Sequence, residues 1–120
     1  RTRLYLNHGA SAKPGAIHQA RRVRFSKVLV FIGAYHKVDR EYEPLDPGRK
    51  SIRVQVGYQG RDFRFILTGE KFVNELLPDD TPNRGGGGAV DFVRHITGLG
   101  FVQAVKICLD AAEDGTRGVD

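Results

Sequence analysis

The sequence predicts an α+β domain: a small antiparallel β-meander packed against a C-terminal helical hairpin and an N-terminal helix. Three observations predict it. Across residues 52–67 apolar and polar side chains alternate with period two, on either side of a Gln59-Gly60 turn. Across residues 89–112 two apolar stripes recur at three- and four-residue spacing, broken at Gly98-Leu99-Gly100. Neither stripe is long enough to be a stable helix alone, so the pair must lie on the apolar face that the meander offers. The chain's 120 residues are enough for one modest core.

In chain order, residues 1–7 alternate weakly, residues 9–15 have the composition of a linker, and residues 18–24 are polar and basic. Residues 1–24 are therefore expected to be a basic flexible arm or linker, the alternative being a helix that runs on into the next segment. Residues 25–33 read as a helix. Val28, Leu29, Phe31 and Ile32 give it an apolar face, Ser26 is placed to cap it, and Gly33 stops it. Residues 38–49 carry charge and two prolines, and read as an exposed loop.

The first strand has Ile52, Val54, Val56 and Tyr58 on one face and Arg53 and Gln55 on the other. Phe63, Phe65 and Leu67 mark the second. Residues 71–75 make a third after the Thr68-Gly69-Glu70 turn. The glycines at 85–88 are expected to let the chain leave the sheet with positive φ and to pack closely against it; a phosphate cradle at a helix start is the functional alternative. Ala89, Val90, Val93 and Ile96 form the first helical stripe, and Val102, Val105, Leu109 and Ala112 the second. The folded body is placed at residues 25–114, and residues 115–120 are read as a tail or linker to a missing domain. The chain opens on Arg, and is expected to be part of a longer protein.

The run Gly-Gly-Gly-Gly-Ala-Val-Asp-Phe-Val-Arg-His-Ile-Thr-Gly-Leu-Gly-Phe-Val-Gln-Ala-Val, residues 85–105, resembles the segment that closes the N-terminal zinc-ribbon module of bacterial replicative primases. It is more similar still to the module that precedes the Toprim domain in primase-like proteins of plasmids and integrating elements. The Lys71-Phe72-Val73 strand and the Ile32-Gly33-Ala34-Tyr35 helix end fit the same pattern, so the resemblance covers about residues 25–112. It implies a module that engages single-stranded template through its sheet face. One departure matters. Where zinc-bearing relatives carry their second Cys-x-x-Cys, this chain has Leu77-Pro78-Asp79-Asp80-Thr81-Pro82-Asn83. The family's metal ligands are missing, and no metal is expected.

Composition narrows the functional classes. Lys and Arg total 19 against 14 acids, a net charge of +5, and the first 38 residues hold eight Lys or Arg and no acid. Solubilising surfaces usually mix their signs, so this third of the chain favours a polyanionic partner. The single cysteine excludes an internal disulfide and a cysteine-rich metal cage, and Cys108 among Val105, Ile107 and Leu109 reads as a buried thiol. The cytoplasm is the expected compartment. No apolar run approaches the roughly 20 residues that span a bilayer, so no membrane partner is expected.

No Gly-Lys-Ser/Thr follows the glycines, which excludes a nucleotide-hydrolysing P-loop. No acidic cluster or Ser-His-Asp arrangement suggests catalysis by this region alone, and no cofactor is expected. The expected ligand is single-stranded DNA. Its phosphates would meet Arg53, Arg61, Arg64, Lys71 and Arg84, with Gln55 beside them and Arg21, Arg22 and Arg24 adding from the arm. Tyr35 is the first of three candidate stacking rings, with Tyr42 and Tyr58. The function expected is template binding within a plasmid- or mobile-element primase-like nucleotidyltransferase, with a Toprim or helicase domain in the same protein. The alternative is a protein-interaction module that docks a replication or conjugation enzyme.

Overall fold

The computed structural model describes residues 14–46 and 48–117, with side chains through Glu113. Two short helices, α1 (Pro14–Arg21) and α2 (Phe25–Phe31), precede the strands β1 (Tyr35–Asp39), β2 (Ile52–Tyr58), β3 (Arg61–Thr68), β4 (Lys71–Asn74) and β5 (Gly85–Gly87). Helices α3 (Gly88–Thr97) and α4 (Phe101–Arg117) close the chain. The strands pair antiparallel in sequence order, β1-β2-β3-β4-β5. The α+β architecture is the expected one, and the C-terminal hairpin folds back with a 113° bend between its helices. No single helix among the described residues is long and apolar enough to cross a membrane.

Period-two patterning sets the faces. Val54 stands opposite Phe65 and Val56 opposite Phe63, all buried, while the Gln55–Arg64 pair between them points the other way. Gln59 and Gly60 both take positive φ, 49° and 79°, as the tight turn of this hairpin requires. Against the buried face lies α3, which contributes Ala89, Val90, Phe92, Val93 and Ile96 to the core. Helix α4 packs across α3 together with α1 and α2, through Ala104, Val105, Cys108 and Ala111. Burial pushes the Cys108 thiol up to about 12, so it stays protonated and inert.

Four phenylalanines from four elements meet at the centre. Phe92 of α3 stacks on Phe25 of α2 at 4.4 Å, and lies 4.8 Å from Phe65 of β3 and 5.3 Å from Phe72 of β4. Edge contacts at 5.7 Å and 6.1 Å join Phe72 to Phe65 and Phe25. Such pairs add to the area they bury, and this cluster fastens both helical segments to the sheet.

Several boundaries differ from the sequence reading. Pro14–Arg21 is a helix with Ala20 fully buried, not a linker, and it ends before α2 rather than running into it; residues 1–13 lie outside the described residues. Ser26 does not cap α2. Arg24 occupies the N-cap, without a side-chain cap bond. Val38 belongs to edge strand β1, so the loop begins after Asp39. The third strand ends at Asn74. Helix α4 continues through Arg117, past the boundary drawn at residue 114.

The glycine run packs closely against the sheet and leaves it with positive φ, as expected, but residues 85–87 also form a strand, β5, that the sequence did not suggest. A Cβ on Gly85 would overlap the Phe72 carbonyl oxygen, so only glycine lets β5 approach β4 this closely. Positive φ falls on Gly88, at 83°, where a Cβ would also sit 3.1 Å from the Arg21 carbonyl oxygen.

Candidate nucleic-acid interface

The outward face of the sheet is mixed in sign. Alternation places Lys37 and Asp39 of β1, Arg53 and Gln55 of β2, Asp62 and Arg64 of β3, and Lys71 of β4 on it. Its central arginines are engaged. Arg53 donates from Nε to Glu75 Oε2 at 2.9 Å and from Nη1 to Asp39 Oδ2 at 3.2 Å. Arg64 donates from Nε to the same Glu75 oxygen at 3.0 Å. Two guanidinium groups are thus balanced by two carboxylates. The Glu41 backbone N–H and the Arg53 guanidinium hold the Asp39 carboxyl below its usual range, and Glu75 with Asp39 raises Arg53. Tyr42 is taken up as well, its ring lying 4.7 Å from the Arg53 guanidinium. Tyr35 remains 64% exposed at the face's edge.

The expectation of a free cationic stripe on this face therefore does not hold at Arg53 and Arg64. The period-two pattern locates side chains on a face but does not reveal partners on neighbouring strands. Nor do Arg61 and Arg84 stand free. Arg61 donates to the Ile96 carbonyl at 3.4 Å and lies 5.2 Å over Phe63. Arg84 donates to the Leu77 carbonyl at 3.0 Å and pairs with Asp79 at 3.1 Å.

The predicted arginines at 21, 22 and 24 converge elsewhere. The turn between α1 and α2 packs against the β3–β4 turn, and Arg21, Arg22, Arg24, Gly69 and Glu70 line one cleft of about 290 Å³. Gly88 N–H donates to the Glu70 carbonyl beside this cleft, whereas Lys71, opposite Gly87, has the parity of the outward sheet face and lines neither cleft. On the other side of the ridge Arg22, Arg24 and Lys27, with Glu113 across from them on α4, rim a larger groove of about 740 Å³, floored by Val23 and Leu109. Arg21, Arg22, Arg24, Lys27 and Lys71 are all exposed, and none forms an ion pair among the described residues. Arg21 reaches toward the Phe101 ring at 5.9 Å. Lys27 was not among the predicted site residues; its place in the acid-free first third was the available signal.

A second polar feature lies beneath β4. Buried Asn74 accepts the backbone N–H groups of Arg64 and Leu76 at Oδ1, so its Nδ2 must donate to His95 Nε2 at 3.1 Å. That leaves the ring's proton on Nδ1, directed at the Asn83 backbone. Burial, then the positive Arg61, lowers His95 from its ordinary 6.5. The folded chain thus takes up this proton less readily than the unfolded one, and the stability it protects is lost as pH falls below about 6.5. The thermal midpoint is expected to drop between about pH 7.5 and about pH 5.5, and His95→Gln should flatten that slope. A wild-type midpoint independent of pH over this window would contradict the assignment.

Among the described residues no group of His, Cys, Asp and Glu is placed to hold a metal ion. Comparison of the chain with protein-family models, with curated proteins and with solved structures finds no match.

Proposed function

We propose that this domain binds single-stranded nucleic acid and serves as the template-holding module of a plasmid- or mobile-element primase-like protein in the cytoplasm. The phosphates are gripped by Arg21, Arg22, Arg24 and Lys27, not by the sheet arginines. One observation carries the reading: four exposed cations without ion pairs among the described residues gather around the α1–α2 turn where it meets the β3–β4 turn, while Arg53 and Arg64 are balanced by Asp39 and Glu75. The preference for a single strand, for DNA, and for a Toprim or helicase neighbour rests on the likeness of residues 85–105 to primase modules.

Salt dependence tests it. Engaging four phosphates of a single strand should give a slope of log affinity against log salt of about −3. Fluorescence anisotropy of a labelled 12-mer supplies that slope. Affinity unchanged between low and high salt would remove the reading.

A second reading has its own observation. The 740 Å³ groove combines an apolar floor with a rim of three cations and one acid, Glu113, which suits an acidic, partly apolar segment of a replication or conjugation enzyme. On that reading such a peptide binds, and oligonucleotides do not compete with it.

A further inference from the structure

The β5–α3 junction forms a third cleft, of about 330 Å³, at the lower end of the size of small-molecule sites. Asp91 and Arg94 line it, three residues apart and hence on one face of α3. Both are exposed, and neither forms an ion pair with the other or with any described residue. The rest of the wall is neutral. His95 has both ring nitrogens committed to Asn74 and Asn83 and sits edge-on to Phe72 at 5.6 Å. Leu99, 41% exposed, stands at the rim, and the Asp91 carboxylate lies close over Gly86. The cleft therefore sets a carboxylate and a guanidinium beside a neutral, partly aromatic wall.

We propose that this cleft receives a guanine base and, resting on the strand-binding reading above, that it is where the bound strand is read. Guanine alone among the bases presents two adjacent N–H donors, N1–H and the 2-amino group, to a single carboxylate. Its O6 beside them accepts from a guanidinium. Cytosine and adenine offer the Asp91 carboxylate one amino group each. Thymine and uracil place carbonyl oxygens on either side of their only imide N–H, and these are repelled by a carboxylate. The position suits a strand held at the cationic corner. Gly88 sits against the Arg21 backbone at that corner, and Gly85 of the cleft is three residues away, about 10 Å along β5.

The test has two arms. In the first, the 120-residue chain is titrated with guanosine, cytidine or uridine monophosphate, and backbone amide NMR shifts are followed. Guanosine monophosphate should move Gly85, Asp91, Arg94 and Leu99, and bind about tenfold more tightly than the uridine nucleotide. Asp91→Asn should abolish that difference. Arg94→Ala, at a second exposed position, should reduce it. Equal shifts with all three nucleotides, or shifts confined to residues 21–27, overturn the proposal.

In the second arm, a thymidine 12-mer is compared with the same strand carrying one central guanine, which should bind about tenfold more tightly. Strand binding without guanine preference removes this inference and leaves the strand reading standing. Guanosine monophosphate held in the cleft by a chain that ignores both oligonucleotides removes the strand reading and leaves the cleft.

Discussion

Replacing Phe92 by alanine is expected to lower the unfolding free energy by about 3–5 kcal/mol. Phe92 is fully buried and touches rings from α2, β3 and β4. Truncation removes its transfer energy and opens a cavity bounded by Phe25, Phe65 and Phe72. Those rings belong to elements fixed by strand pairing and by α4, so the site cannot collapse to fill the gap. Domains of this size are stable by about 5–15 kcal/mol, and the variant should therefore be near its unfolding threshold at ordinary temperature. Urea unfolding followed by circular dichroism gives the number. A loss below about 1 kcal/mol would show that the four-ring cluster does not hold helices and sheet together.

Why the core was legible and the charged surface was not follows from what each residue pattern encodes. Ile52 to Tyr58 alternates because one face meets α3, and that demand is written into the side chains of the strand itself. Strand β1 gives a weaker signal: its sequence Tyr-His-Lys-Val-Asp is polar because it is an edge, with only one neighbour and little burial. Strand β5 has no side chains from which to read a period. It exists because glycine lets backbone approach backbone beside Phe72, a requirement visible only once β4 is in place.

The same limit governs the candidate site. Arg53 and Glu75 are 22 residues apart, and Arg53 and Asp39 are 14 apart. Their pairing depends on strand order and register, whereas charge counting sees three separate residues. The acid-free run through residue 38 was the better guide. With no acid nearby in sequence, its exposed arginines at 21, 22 and 24 form no ion pair among the described residues where α1 and α2 fold onto α4.

The location of the binding surface is tested most directly by moving an equal charge change between the two candidate faces. Arg22→Glu with Arg24→Glu alters net charge as much as Lys37→Glu with Lys50→Glu, and all four side chains are exposed without ion pairs among the described residues. Both variants should keep the parent's urea midpoint, since surface substitutions of this kind seldom exceed about 0.5 kcal/mol. Anisotropy with a labelled single-stranded 12-mer at fixed salt then separates position from total charge. The corner variant is expected to lose about tenfold or more in affinity, and the sheet-side variant less than about threefold. Equal losses, or a larger loss from the Lys37 and Lys50 changes, would contradict the assignment of the phosphate grip to the α1–α2 corner.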